Sequence, residues 1–342
     1  MRLGLNVMRP SIRFGQWGSD LSETAKIVSL AEDLGYHSVW TAEASGTDAT
    51  SPLAWLAAQT TKIQLGTAIM QIAGRSPGTT AMTAATLDLL SGRRFLLGLG
   101  VSGAAVVEAW HNQPYGRPLA KTREYVTIVK QILARRAPID FHGEYYDIPY
   151  YGPGSTHLAD PIKLMFRPPR TSVPIYIAAM GPKNVSLAFE VADGIIPAFY
   201  SPYNEDKFFG DIPKEKRKSL DIAPFVYVCV GDDIGACRDR LRPGFAFWFG
   251  VMGSRRVNYY NEFAQRLGYE EAAAKIAKLY LEGRPGEAAL AVPDELIDEV
   301  ALCGPPARIR DQLAVWSESS VGTMICSGVD RDTIVLLAEL AL

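Results

Sequence analysis

Two glycine-bearing turns and one carboxylate follow short apolar runs, and these are the positions where chemistry could reside. Gly98-Leu99-Gly100-Val101-Ser102-Gly103 combines three glycines with a serine. Glycine lets a backbone approach a flat or anionic ligand closely, and the same residues also make an ordinary tight strand-to-helix turn. Ala178-Ala179-Met180-Gly181-Pro182-Lys183-Asn184 puts a proline where a helix would begin. The free amides of such a turn suit a phosphate, to which Lys183 would add a positive charge; the alternative is a capped helix with a solvated lysine. Glu43 closes Val39-Trp40-Thr41-Ala42-Glu43. A carboxylate there could accept a hydrogen bond from a ring N–H or shuttle a proton, or it is a rim charge.

Other chemistries find little support. Ser102 has no evident base partner, and Gly100-Val101-Ser102-Gly103 has the wrong spacing for a nucleophile elbow. The four histidines are too scattered to predict a metal site. His37 precedes an apolar run and reads as structural, His142 and His157 fall in a loop, and His111, between Trp110 and Tyr115, is the histidine best placed for catalysis. Cys229, Cys237, Cys303 and Cys326 contain no CxxC pair, so neither a zinc cage nor a disulfide framework is expected. Many aromatic residues with few acids or nucleophiles point to a cofactor that carries the reaction.

These positions need elements to hold them. Strands are expected at Arg2–Met8, Ser38–Ala42, Ile63–Met70, Phe95–Leu99, Ile175–Ala179, Gly194–Pro197, Ala223–Val230 and Gly322–Cys326. Amphipathic stretches separate most of them. The first follows Asp20-Leu21-Ser22-Glu23, which has the form of a capping box, and it ends at Gly35. Helices are also expected at Pro52–Gln59, Thr79–Leu90, Ala104–His111, Lys121–Arg135, Pro182–Ala192, Ala307–Ser317 and Thr333–Leu340. Eight parallel strands joined by helical crossovers predict an α/β fold of the (β/α)8 TIM-barrel type, one domain over residues 1–342. Two insertions interrupt it: about 137–174 after strand 4, with a hairpin near His142-Gly143, and 232–302 after strand 7, mostly helical. The stretch after the first strand, Arg9-Pro10-Ser11-Ile12, lacks the GxGxxG expected of an open dinucleotide-binding sheet. In a barrel the site lies at the C-terminal strand ends, which here include Asn6–Arg9, Thr41–Ala44, Ala68–Gln71 and Ser327–Asp330.

Composition narrows the class of partner. The 342 residues carry 35 basic and 37 acidic side chains, a net charge of −2, with 48% hydrophobic and 21% charged residues. That balance is ordinary for a globular protein and argues against nucleic acid or an anionic membrane as the main partner. No apolar run reaches membrane-spanning length, and the N-terminal segment is not of secretory type, so a cytoplasmic protein is expected. Trp110, Tyr115, Tyr145, Tyr146, Tyr150, Tyr151 and Phe166 hint at an apolar pocket for a bulky organic substrate.

Taken together, several motifs resemble the luciferase-like monooxygenase superfamily, and within it the branch that uses coenzyme F420, a deazaflavin. They are Leu34-Gly35-Tyr36-His37-Ser38-Val39-Trp40 leading to Glu43, Leu65-Gly66-Thr67-Ala68-Ile69, and Ser91-Gly92-Arg93-Arg94-Phe95 running into the Gly98–Gly103 turn. Arg123-Glu124-Tyr125, Ile177–Asn184, Glu190-Val191-Ala192-Asp193-Gly194 and Cys303-Gly304-Pro305-Pro306 complete the set, which spans nearly the whole chain. The resemblance implies a TIM barrel, usually a homodimer, with the deazaflavin across the strand ends and a small-molecule or natural-product substrate beside it. It puts a non-prolyl cis peptide at Ala68–Ile69, following Thr67, as a bulge under one face of the ring. It puts Glu43 near the ring, Asn6 among the cofactor-contacting residues, and Val101, Ser102, Gly103, Met180, Gly181, Pro182 and Lys183 along the cofactor phosphate. Glu43 and His111 are the candidates for moving a proton during hydride transfer to a C=C, C=N or C=O bond. Arg75, Arg167, Arg170, Arg255 and Arg256 would steer the anionic cofactor if they rim the mouth. Ala44 stands where many relatives have histidine and Phe189 where close relatives often have glycine. The superfamily shares its barrel between cofactors, so an FMN-dependent monooxygenase is the second reading, and a ligand-binding barrel without turnover the third.

Overall fold

Short apolar runs of three to six residues are too brief for helices yet long enough to cross a sheet, and the computed structural model resolves them as a largely parallel, curled sheet. It describes residues 1–7, 21–43, 46–252 and 257–342. We number the principal strands β1 (Arg2–Asn6), β2 (Ser38–Thr41), β3 (Gln64–Thr67), β4 (Phe95–Gly100), β5 (Ile175–Ala178), β6 (Gly194–Ile196), β7 (Phe225–Val230) and β8 (Thr323–Ser327). β1 pairs in parallel with β2 and with β8, and the ladder continues β2–β3–β4–β5–β6 on one side and β8–β7 on the other. A single parallel bridge, Ala198 to Phe225, joins the two ends of this path, and a second, Ile222 to Val321, ties the chain before β7 to the start of β8. Helices flank most of the strands, among them Leu21–Asp33, Pro77–Leu90, Pro118–Ala134, Pro182–Val191, Pro306–Glu318 and Arg331–Ala341.

Side chains alternate across each strand, so every second residue faces the enclosed side. Trp40, Leu96, Tyr176, Ile196, Ala223 and Ile325 form a buried cluster separate from the main core under the helices. Trp40 fits there because Gly66 and Gly4 leave room for its indole. A Cβ on Gly66 would lie 2.2 Å from the indole Cε3, and one on Gly98 would lie 1.8 Å from the Thr67 carbonyl oxygen. At the N-terminal strand ends polar groups are paired: Arg2 to Asp221 at 2.6 Å, and the Tyr176 hydroxyl donating to Asp221 at 2.8 Å. His37 belongs to this end, where burial and then the Arg2 charge hold its imidazole below the ordinary histidine range. Arg94 is buried nearby and donates to the carbonyls of Ser91, Ile63, Ala57 and Thr60.

The structure corrects several expected boundaries. The strand expected over Ile63–Met70 ends at Thr67, and Met70–Gln71 pairs separately with β4 (Met70 to Leu99, Gln71 to Gly100). The stretch 232–302 is helical at Ile234–Val251, Tyr259–Leu267, Glu270–Leu281, Pro285–Leu290 and Asp294–Val300, but closes with a strand, Ala301–Gly304, laid parallel to β7. Four residues directly abutting a helix give too short a pattern to separate from it. Within 137–174, Phe141–His142 and Asp147–Ile148 form the expected antiparallel hairpin. Gly35 takes the left-handed conformation that ends a helix, at φ +90°. Asp20 of the capping box, Met8–Ile12, Ala44, Arg255 and Arg256 lie outside the described residues. Among the described residues no helix is long and apolar enough to cross a membrane.

Candidate active site at the strand ends

The C-terminal ends of β2, β3 and β4 are tied together around an abrupt turn. The Ala68–Ile69 peptide is cis. Ala68 N–H donates to the Thr41 carbonyl (2.6 Å), and Glu43 N–H donates to the Ile69 carbonyl (3.3 Å). Thr67 secures the other flank: its hydroxyl donates to the Gly98 carbonyl at 2.8 Å and accepts from the Gly98 N–H at 2.9 Å. The Ile69 side chain lies over Gly100, where a Cβ would approach its Cγ1 to 2.8 Å. Gly98 and Gly100 are therefore needed for the approach of neighbouring strand and bulge. Val101, Ser102 and Gly103 follow at the mouth, half-buried, with Ser102 in the left-handed region at φ +63°. Asn6, at the tip of β1, donates to the Ser327 hydroxyl on β8 at 3.1 Å.

Glu43 sits at the centre of a polar brace. Its Oε1 accepts from Arg75 Nη1 at 2.5 Å and from the Gln71 N–H at 2.8 Å, and its Oε2 accepts from the Ala49 N–H at 3.1 Å. The side chains of Glu43 and Arg75 are 8% and 19% exposed, so the pair is largely desolvated. Gln71, 2% exposed, extends the brace. Its Nε2 donates to the Glu43 carbonyl at 3.2 Å, and its Oε1 meets Nε2 of His111. The structure thus brings together the two residues the sequence nominated for proton transfer, through a glutamine it did not nominate. Beside them a cleft is lined by Ile72, Ala73, Val101, Val107, Tyr115 and Lys121. Burial holds the Lys121 ammonium below the usual lysine range, and it donates to Gln113 Oε1 at 2.8 Å.

On the far side of the mouth, Gly181 precedes the helix Pro182–Val191 in extended conformation (φ −81°, ψ 146°), and Pro182 opens it. A Cβ on Gly181 would meet nothing within 4 Å, so this turn faces open space. Lys183 is exposed there. Arg266, from the helix Tyr259–Leu267, reaches the same turn and donates to the Met180 carbonyl at 2.6 Å. Burial lowers its guanidinium, no carboxylate among the described residues lies within ion-pair distance, and its buried Nε has no hydrogen-bond partner. A desolvated cation with spare donors, an open turn and helix amides fit a phosphate. Arg266 was not legible in the sequence, where it is one arginine among several in a helical stretch.

Other expected residues lie elsewhere. Arg170 is not at the mouth: it pairs with the fully buried Asp88 and donates to the Phe95 carbonyl, at the opposite end of β4. Tyr145 and Tyr146 use their N–H groups to bind Glu124, on the helix Pro118–Ala134, while Tyr150 and Tyr151 bond within their own loop. His142 pairs with Asp147, which together with Asp140 raises its imidazole above the ordinary range, and His157 stacks on Tyr151. All four cysteines are buried, and burial pushes the Cys303 and Cys326 thiols up to about 12. Among the described residues no cluster of three or more His, Cys, Asp or Glu side chains is placed to hold a metal ion.

A curled parallel sheet with a polar brace and an open anion-suited turn at its C-terminal end defines an α/β-barrel type of enzyme site. The model of the luciferase-like monooxygenase family matches residues 1–323, and the chain belongs to that family. It is 39% identical over 342 residues to a protein named as a "putative coenzyme F420-dependent oxidoreductase" from Mycobacterium tuberculosis (strain ATCC 25618 / H37Rv), with 97% of this chain and 99% of that one covered. It is 28% identical over 317 residues to the 5,10-methylenetetrahydromethanopterin reductase of Archaeoglobus fulgidus, covering 88% and 87% of the two chains. Among solved structures, the coenzyme F420-dependent tetrahydromethanopterin reductase from Methanopyrus kandleri superimposes with a TM-score of 0.76 at 21% identity, over 99% of this chain and 97% of that one.

Proposed function

We propose that this protein is a coenzyme F420-dependent oxidoreductase that transfers a hydride between the deazaflavin and a small organic or natural-product substrate. The observation that carries the reading is the 39% identity, over nearly the full length of both chains, to a protein named for that cofactor. The open turn at Gly181, with Arg266 held beside it on the Met180 carbonyl, supports a cradle of the right chemistry. When bound, the deazaflavin supplies a hydride from C5 of its ring to an electrophilic carbon, as in reduction of C=C, C=N or C=O.

The chain's own residues do the rest. The amides of Gly181 and Lys183, with the Lys183 and Arg266 cations, hold the phosphate, and Val101, Ser102 and Gly103 line the same path. Met180 and Pro182 fix the turn, and Asn6 with Thr67, Ala68 and Ile69 floors the mouth. Glu43, whose oxygens are taken up by Arg75, Gln71 and Ala49, acts by holding this floor, and His111 moves the proton. We read the curled sheet as a complete (β/α)8 barrel, a single domain with 137–174 and 232–302 as insertions. Leu158, Ile162 and Met165, 84%, 73% and 99% exposed in the first of these, support a homodimer. A net charge of −2 supports an enzyme without nucleic-acid or anionic-membrane partners, and we read it as cytoplasmic.

The test is a pair of fluorescence titrations of the purified protein, one with coenzyme F420 and one with FMN. Saturable micromolar binding of the deazaflavin is expected. Saturable FMN binding with no response to the deazaflavin would replace this reading with that of a flavin-dependent monooxygenase.

A further inference from the structure

The Gln71 carboxamide has only one orientation that satisfies both of its neighbours. One end faces the Glu43 backbone carbonyl at 3.2 Å, and a carbonyl oxygen can only accept, so that end must be the NH2 group. The other end is then the carbonyl oxygen, and it faces His111 Nε2. An amide oxygen also only accepts, so His111 must carry a proton on Nε2. In the neutral imidazole the lone pair then sits on Nδ1.

Three features make this orientation hard to reverse. Gln71 is 2% exposed, so water cannot substitute for either partner. Its own N–H is fixed on Glu43 Oε1 at 2.8 Å, and that carboxylate is fixed in turn by Arg75. The imidazole lies against the backbone at Gly74, where a Cβ would approach its Cε1 to 3.1 Å, which keeps the ring at the glutamine. Among the described residues no hydrogen bond to His111 Nδ1 is present.

We propose that Gln71 is a positioning residue. Oriented by the Glu43 carbonyl, it holds the His111 proton on Nε2 and leaves Nδ1 as the nitrogen that exchanges a proton with substrate. The step this serves is the balancing proton transfer: as hydride reaches an electrophilic carbon, the proton on Nδ1 of the imidazolium passes to the neighbouring heteroatom or carbon, leaving neutral His111 with its remaining proton on Nε2. This rests on the reading of His111 as the proton-transfer group given above, and the experiment separates the two.

The experiment is nitrogen-15 NMR of histidine-labelled protein without cofactor. A ring N–H resonance protected from solvent, bonded to Nε2 and missing in His111→Asn, is expected in the wild type. In Gln71→Leu it should vanish through exchange at least tenfold faster. The backbone amide resonances elsewhere in Gln71→Leu should stay at their wild-type positions, which guards against a loss that reflects only misfolding. A neutral His111 ring that carries its proton on Nδ1 and not on Nε2 in the wild type, or an Nε2–H signal unchanged in Gln71→Leu, overturns the proposal. Because no cofactor is present, these spectra stand apart from whether the deazaflavin binds.

Discussion

Gly98→Ala is expected to abolish the folded protein, whereas Gly181→Ala is expected to leave it intact. The added methyl at position 98 would be placed 1.8 Å from the Thr67 carbonyl oxygen and 3.0 Å from Ile196 Cδ1. The first obstacle is backbone and cannot swing aside. Relief requires β3 and β4 to separate, which breaks the reciprocal Thr67–Gly98 hydrogen bonds and opens a void around Trp40. Overpacking combined with lost buried hydrogen bonds belongs to the severe class of substitution, here ~4 kcal/mol or more, with a fall in Tm of at least ~5 °C or failure to accumulate as soluble protein. At position 181 the same methyl points into open space. There Tm should stay within ~1 °C while affinity for coenzyme F420 falls, because the methyl occupies the space assigned to the phosphate. A Gly98→Ala protein that melts like the wild type would show that the two strands are not packed as described.

The second large effect concerns the Glu43–Arg75 pair. Breaking a desolvated ion pair leaves a charge without a partner and costs about 3–5 kcal/mol. Glu43→Ala should cost more than Arg75→Ala, since it also strands the N–H groups of Gln71 and Ala49. The double variant should be less destabilised than the sum of the two by about 1–3 kcal/mol, because the second removal disposes of the orphaned charge. Denaturant unfolding of the four proteins measures this. Strict additivity, or singles within ~0.5 kcal/mol of the wild type, would show that the pair is not coupled. The same cycle bears on the role of Glu43. Its oxygens are already engaged by three donors, so its loss is expected to appear in stability before any ligand is added.

How much of this was legible depends on how far apart the interacting residues lie in the chain. The strands were legible because each is a short apolar run bounded by turn residues, and the turn at Thr67–Ile69 lies within one contiguous motif. Gln71 was not. Its partners Glu43 and His111 lie 28 and 40 positions away, and a glutamine after an apolar run carries no signal of its own. Arg266 is 86 positions from Met180 and reaches it only through the packing of a helix from the long second insertion. The glycines of the Gly98 turn were legible as special positions but not as to why: a missing Cβ reads the same whether a ligand or a neighbouring strand takes the room. Arg170 was misplaced for the related reason that a charge in a long loop gives no hint of a buried carboxylate such as Asp88, 82 positions away.

Central to the proposed function is a shallow cradle at the strand ends for a flat redox ring, with its phosphate at the Gly181 turn. Crystals soaked with coenzyme F420 test it most directly. The ring is expected against Ala68 and Ile69, and the phosphate at Gly181–Lys183 within hydrogen-bonding reach of Lys183 or Arg266. Density for the ring elsewhere on the protein, or strand ends filled by side chains with no room for it, would contradict it.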